Sequence, residues 1–288
     1  MIAAFPPGGP VDIQARLIAQ KMAEALKQPI VIDNRPGADG TIANDLVAKA
    51  PPDGYTILIT SIGITTTAAL RAKLPYDPVK DFAPISRTTT GSNIIAVHPG
   101  VAAKTLSELI ALARREPGKL SFASAGTGSV NHLGMELLSK AGGIRLIHVP
   151  YKGAAPATTE LLAGHVQLMM NPTSNALPQV RAGKLRGLAV TPKRLPAAPE
   201  LPAVSETLPG FEVMSWYGIL APAGTPPRIV DALNREIVKA LSMQDVREPL
   251  QGLGLEPAAN TPREFGTFIQ SELRKWAQAV REAGIKPE

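Results

Sequence analysis

The chain has 288 residues, a length that suits two α/β units of ordinary size. Hydrophobic residues make up 44% and charged residues 19%, a globular balance, and no run of about 18 uncharged apolar residues offers a membrane span. The formal charge of +6 is spread over many segments, with basic pairs such as Arg114-Arg115 and Lys193-Arg194 isolated from aromatic platforms, so nucleic acid is not expected as a partner, and the absence of cysteine excludes disulfides, thiolate metal sites and a Cys nucleophile.

In chain order, strand and helix patterns alternate. Ile2-Ala3-Ala4-Phe5 reads as the tail of a strand, and Val11 to Lys27 as a helix with Ile13, Leu17, Ile18, Met22 and Leu26 on one face. The strand Ile30-Val31-Ile32 follows, then a turn through Asn34-Arg35-Pro36-Gly37, a helix near Ile42 to Lys49, and the strand Tyr55 to Thr60. This βαβαβ order predicts a parallel sheet with right-handed crossovers, whose binding edge is made by loops at the carboxyl ends of its strands.

A second alternation opens at Asn93 to Val97 and runs through a helix started by Thr105 with Glu108 three residues on, a capping box. Strands at Leu120–Ser124, Leu146–Val149 and Val166–Met170 each lead to a helix, from Ser129, about Pro156 and about Ser174, and a strand at Leu188–Val190 ends in a Pro-rich passage. Val213 to Ala221 reads as strand, and helices over Pro227–Leu241, Asp245–Gln251 and Pro262–Ala283 finish the chain. No comparable strand lies among these last helices, so they need a sheet already made. We therefore expect residues 1–93 and 221–288 to form a first lobe and 94–220 a second, each a mainly parallel sheet flanked by helices, with two chain crossings that make a hinge and a cleft.

Four strand-to-helix loops carry the candidate chemistry. Pro7-Gly8-Gly9-Pro10 lets backbone approach a ligand at a helix N-terminus, with Asp12 in the first turn as either a ligand group or a helix-stabilising carboxylate. Ser61 and Gly63, after the third strand, belong to the same edge. Ala125-Gly126-Thr127-Gly128-Ser129 offers uncharged donors; it is neither a P-loop nor a dinucleotide fingerprint, because Asn131 and His132 stand where the last glycine would be needed. Tyr151-Lys152-Gly153 and Asn171 with its Pro172 complete the set, and all four loops are expected to face one site for a small organic anion.

Catalytic constellations are poor. His98, His132, His148 and His165 form no His-x-x-x-His pair and stand beside no carboxylate at a ligand spacing, so neither metal nor other cofactor is expected. Ser129 is outside any Gly-x-Ser-x-Gly elbow, and a nucleophilic serine has no support. His132 lies where it can donate to a ligand or bond the backbone; Trp216-Tyr217 reads as hinge packing, and Lys184 and Arg186 as a solvated turn. An enzyme is not expected.

Phe5-Pro6-Pro7-Gly8-Gly9 with Asp12 and Arg16, Asn34-Arg35-Pro36-Gly37, Pro52-Asp53-Gly54-Tyr55, Leu74-Pro75-Tyr76-Asp77, Asp81-Phe82-Ala83-Pro84, Val149-Pro150-Tyr151-Lys152-Gly153 and Leu220-Ala221-Pro222-Ala223-Gly224-Thr225-Pro226 occur in order over the whole chain. Together they resemble the Bug (Bordetella uptake gene) receptors, the substrate-binding subunits of tripartite tricarboxylate transporters. The resemblance implies a monomeric, periplasmic, two-lobed protein of the periplasmic-binding-protein (Venus-flytrap) fold, which closes on a carboxylate and passes it to membrane subunits; a ligand-binding sensor would use the same pocket. It also implies that backbone amides of Pro7–Pro10 and Tyr151–Gly153 hold the carboxylate, while Thr127, Ser129, His132 and Asn171 bias which solute fits.

Two departures from the family pattern matter. No export signal is read between Met1 and Gly9, and the first strand is short, so the edge of the first sheet is expected to be incomplete. Asn171-Pro172 stands where relatives often carry Asp-Asn, and losing that negative charge disfavours amino-acid ligands.

Overall fold

The computed structural model describes residues 1–284. Its contacts divide into two units, one of Met1–Thr90, Trp216–Gln251 and Leu255–Glu288, the other of Gly91–Ser215 with Gly252–Gly254.

The first unit opens with β1 (Ile2–Ala3), α1 (Pro10–Leu26), β2 (Asp33–Asn34), α2 (Thr41–Ala48), β3 (Leu58–Ser61), α3 (Gly63–Leu70) and β4 (Phe82–Gly91). Pro10 starts α1 with its φ preset for helix, Lys27 ends it in a left-handed conformation, and Val11, Ala15, Ile18 and Met22, spaced four, three and four, form its buried stripe. The strand expected at Ile30–Ile32 is instead β2, two residues later and only two long. Helix α3 and strand β4 carry little sequence signal, because threonines fill both. In α3 the hydroxyls of Thr65 and Thr66 turn back onto the carbonyl of Ile62. In β4 those of Thr88 and Thr89 both donate to Gln14 Oε1 at 2.8 Å.

The second unit follows with β5 (Asn93–Val97), α4 (Leu106–Arg115), β6 (Ser121–Ser124), α5 (Val130–Gly142), β7 (Ile147–Pro150), α6 (Ala154–Leu162), β8 (Leu168–Pro172), α7 (Thr173–Arg181), β9 (Arg186–Thr191) and α8 (Val204–Thr207). Its core joins Ile94, Ala96, Ala123, Met169, Leu161, Leu177 and Val190. The Thr105 hydroxyl caps α4 by accepting the Glu108 N–H at 3.1 Å. Arg186 does not sit in a solvated turn: it begins β9, and its guanidinium donates to the carbonyls of Val101 and Ala103 at 3.0 Å.

The chain then supplies the first unit with β10 (Ser215–Pro222), α9 (Pro227–Ser242), α10 (Gln244–Gly252), β11 (Leu255–Pro257) and α11 (Pro262–Ala283). A strand does lie among the final helices, since β11 adds three residues at the sheet edge. Trp216 is fully buried, and its indole N–H and that of Trp276 both donate to Glu272 Oε2 at 3.1 Å.

The sheets are mixed rather than mainly parallel, and they share a plan. The first has the order β11-β4-β10-β3-β1-β2 and the second β7-β6-β8-β5-β9. In each, leaving aside the strand that enters from the other unit, the first strand lies between the second and the third. β1 pairs parallel with β2 and β3, and β6 parallel with β7 and β8. The strand that enters from the other unit's chain segment, β10 or β5, is inserted next and runs antiparallel, with Tyr217 opposite Ser61 and Ile94 opposite Asn171. An entering strand has no helical crossover from its neighbour to impose the parallel sense. The short β1 is therefore not an edge strand, and the Met1 ammonium donates to the Val31 carbonyl at 2.8 Å.

At Gly218 on β10 a Cβ would fall 2.2 Å from Phe265 Cζ. Gly218→Ala therefore overpacks the contact between β10 and α11 and is expected to lower stability by about 1–3 kcal/mol, read as a lower urea midpoint at unchanged m-value.

Candidate functional site

In both sheets the first and third strands are adjacent while their following helices leave in opposite directions. Such a switch point, at the carboxyl ends of the strands, is the usual place for a ligand in an open α/β sheet. In the first unit it lies between the loops after β1 and β3, which hold Pro7–Pro10 and Ser61–Gly63. In the second it lies between the loops after β6 and β8, which hold Ala125–Ser129 and Asn171, with Tyr151–Gly153 following the adjoining β7.

Asp12 shapes the first loop. Gly8, at φ +79°, donates its N–H to Asp12 Oδ2 at 3.0 Å. Arg16 Nε donates to the same oxygen at 3.0 Å and Arg16 Nη2 lies 2.9 Å from Oδ1. Asn34 Nδ2 donates to Oδ1 and to the Phe5 carbonyl, both at 3.0 Å. Burial alone would raise the Asp12 pKa, but the bonds from Arg16, Gly8 and Asn34 outweigh it and hold the carboxyl below its ordinary value. The acid is thus committed to protein donors, and what the loop presents outward is backbone. Ser61 and Gly63 are buried, the Gly63 N–H donating to Ser61 Oγ at 3.3 Å.

In the second unit the loops after β6 and β7 are tied together by Tyr151 N–H to the Ser124 carbonyl and Gly153 N–H to the Ala125 carbonyl, each 3.0 Å. The fully buried Asn171 donates to Thr158 Oγ1 at 3.0 Å, which fastens β8 to the helix that Gly153 begins. Ser129 Oγ accepts the His132 N–H at 3.3 Å and donates to the Gly126 carbonyl at 2.7 Å, so it caps α5 and folds its own loop. Thr127 is partly exposed and Lys152 exposed.

Beneath this loop lies a stack that sequence reading left unconnected. His132 lies on His148, centroids 3.9 Å apart, and His148 on Phe122 at 4.9 Å. Gly128 N–H donates to His132 Nδ1 at 3.2 Å, which makes His132 the Nε2–H tautomer, and Ser124 Oγ meets His148 Nε2 at 2.6 Å. His148 on β7 lies 16 residues from His132 on α5 and 24 and 26 from Ser124 and Phe122 on β6, separations that carry no local signal of such a contact. Burial lowers the His132 pKa to about 4, and burial with the neighbouring His132 lowers His148 to about 3. Two histidines stand beside carboxylates after all: Glu136, one turn along α5, comes within 4.0 Å of His132 Nε2, and Glu160 Oε2 lies 2.9 Å from the exposed His165 Nδ1. Among the described residues no third ligand joins them or any other candidate metal cluster.

Residues 14–285 match the tripartite tricarboxylate transporter family receptors. The chain belongs to this family, that of the Bug receptors. Among solved structures, a Rhodopseudomonas palustris protein described with adipate, Rpa4515, is 36% identical with a TM-score of 0.95, covering 100% of this chain and 97% of its own. The periplasmic binding protein BugD is 34% identical with a TM-score of 0.94, covering 100% and 98%. MatC of Rhodopseudomonas palustris, described with bound malate, is 36% identical with a TM-score of 0.89, covering 97% of each chain. The two-unit α/β fold described above is the fold of these periplasmic binding proteins, and the chain is a solute-binding receptor of the Bug type.

Two stability measurements probe these loop supports. Asp12→Asn is expected to cost about 1.5–3 kcal/mol at pH 7, the range for hydrogen bonds to a charged group. The carboxyl's depressed folded pKa adds stability above its unfolded value of about 3.9 and loses it as pH falls through the folded value, so urea unfolding should bring variant and parent together at strongly acid pH. Neutral His132 and His148 stabilise the fold fully above the unfolded histidine value of about 6.5 and lose that contribution as pH falls toward their folded values. NMR titration should accordingly find two of the four imidazoles, His132 and His148, still neutral at about pH 5.

Proposed function

We infer that this chain is a periplasmic receptor that captures a small carboxylate, di- or tricarboxylic or aromatic, and delivers it to the membrane subunits of a tripartite tricarboxylate transporter without chemical change. The observation that carries this reading is where helix caps are missing. Helices α2 and α9 lack side-chain caps, and α5, after β6, is capped by Ser129; at the loops after β1, β3, β7 and β8, helices α1, α3, α6 and α7 all begin without one. Their first-turn N–H groups keep the partial positive charge of a helix start for an anion.

In this reading the loops Pro7-Gly8-Gly9-Pro10 and Tyr151-Lys152-Gly153 hold the carboxylate through the N–H groups of Gly9 and Lys152 and of the helix first turns that follow, because the Gly8, Tyr151 and Gly153 N–H groups are committed to Asp12, Ser124 and Ala125 and proline has none. Asp12 acts through Gly8 by fixing its orientation. Ser61 and Gly63 border the same edge of the first sheet, and Ala125 to Ser129, with His132 beneath them and Asn171 beside, choose among solutes. The adipate and malate named with Rpa4515 and MatC support a carboxylate as the ligand class. Asn171 brings no negative charge, which disfavours an ammonium group, so malate is expected to bind more tightly than aspartate.

A thermal-shift screen of dicarboxylates, tricarboxylates and aromatic acids should find at least one that raises Tm with concentration. Gly8 and Gly153 sit at φ +79° and +122°, conformations that resist a Cβ. Gly8→Ala or Gly153→Ala should therefore weaken that acid by roughly tenfold, since about 1–2 kcal/mol is spent on backbone strain. A full panel without any shift overturns the carboxylate reading.

A further inference from the structure

Asp39 stands where three loops of the first unit meet. Its turn, Gly37 to Gly40, has positive φ at every residue, 135°, 49°, 53° and 90°, so two L-residues hold a backbone conformation that usually falls to glycine. Gly40 carries the turn against the loop after β1 and against β3: a Cβ there would lie 3.3 Å from Ala4 Cβ, 3.6 Å from the Phe5 ring and 3.7 Å from Thr60 Oγ1. Asp39 itself packs on the first residue of α3, since a Cβ on Gly63 would fall 2.7 Å from Asp39 Oδ2 and 2.8 Å from its carbonyl oxygen. Glycine at 63 is what admits the carboxyl to this edge of the sheet.

The carboxyl is half-buried and poorly partnered. Thr67 Oγ1 donates to Oδ2 at 3.5 Å, and among the described residues no ion pair is made. Asp12, by contrast, gathers donors from three residues. A strained backbone that holds an acid with a single protein donor at this edge leaves that acid open to a ligand.

We propose that Asp39 is a specificity-determining contact of the first unit, donating a hydrogen bond from its protonated carboxyl to a carboxylate oxygen of the solute and repelling that oxygen when ionised. The assignment rests on the carboxylate reading above. Burial pushes the carboxyl up to about 7, against the opposing pull of Thr67 and Arg71. The groups that act with it are Arg71, at the end of α3, and Tyr76. Asp45 on α2 is paired with Lys49, and Asp12 beyond the β1 loop is held by Arg16 and Asn34. Solute capture therefore takes up a proton, and affinity falls as pH rises past neutrality.

The test is calorimetric titration of the full chain with malate, adipate and citrate over about pH 6.5–8, where protein carboxylates of ordinary pKa are already ionised. With a carboxyl near 7, the protonated fraction falls from roughly three quarters to roughly one eleventh, so affinity should drop about eightfold, with proton uptake seen as a buffer-dependent heat. Because citrate's own last ionisation can fall inside this window, the decisive comparison is with the variants. Asp39→Asn keeps the turn, since Asn tolerates left-handed φ, and should flatten the profile; Asp39→Gly suits the backbone still better and should be both flat and weaker. A flat parent profile, tighter binding at the higher pH, or variants with the parent's slope overturn the role of Asp39 and leave the carboxylate reading standing. Failure of all three acids to bind the parent at either pH overturns the role of Asp39 toward these aliphatic acids, and failure of the aromatic acids of the panel as well overturns both.

Discussion

The carboxylate of Asp12 decides the shape of the first unit's binding edge. Three segments, the Pro-Gly-Gly loop, the second turn of α1 and the end of β2, converge on its two oxygens through Gly8, Arg16 and Asn34. A buried acid with its lone pairs filled is rigid, and rigidity allows backbone N–H groups to act as a site without reorganising. The second unit reaches the same end with uncharged parts. Its loop after β6 is shaped by Ser124, Ser129 and a pair of stacked imidazoles, and the aromatic stack excludes water from beneath it. Formal positive charge near the edges sits on exposed side chains, Arg16 and Arg35 paired with Asp12 and Asp33 in the first unit and Lys152 in the second.

This division of labour explains why the loops bear glycine and proline while the polar side chains nearby point inward. Asn171 is the clearest case. It is fully buried, and its bond to Thr158 sets the position of α6 relative to β8, so its influence on a solute includes the placing of the helix that begins at Gly153. A substitution at such a residue changes the geometry of a neighbouring loop as well as the chemistry at its own position.

Much of the fold was legible because strongly periodic stretches such as α1, α9 and α11 declare a buried face, and the run Leu168–Met170 reads as a strand covered on both sides. What escaped was written in threonine. Helix α3 has weak helix propensity and its threonine hydroxyls bond back locally to Ile62, while the threonines of β4 are fixed by a tertiary partner, Gln14 of α1. The mixed sense of both sheets was also hidden, since alternation of elements along a chain does not announce that one strand of each sheet arrives from elsewhere. At the sites, loops announced themselves by Gly and Pro, whereas the meeting of His132 with His148 and of Asp39 with Gly63 depends on strand neighbours far apart in sequence.

The inserted strand has a consequence for how the chain comes to be folded. In the first sheet β10 occupies the place between β3 and β4, yet it follows the entire second unit in sequence. A ribosome therefore releases the first ninety residues with a vacancy in the middle of their sheet, two unpaired strand edges facing it, while Gly91–Ser215 holds all five strands of its own sheet. Pairings of such long sequence separation form late. The order of completion is thus the reverse of the order of synthesis, and until β10 arrives the nascent first unit is an open template for any extended segment that reaches it.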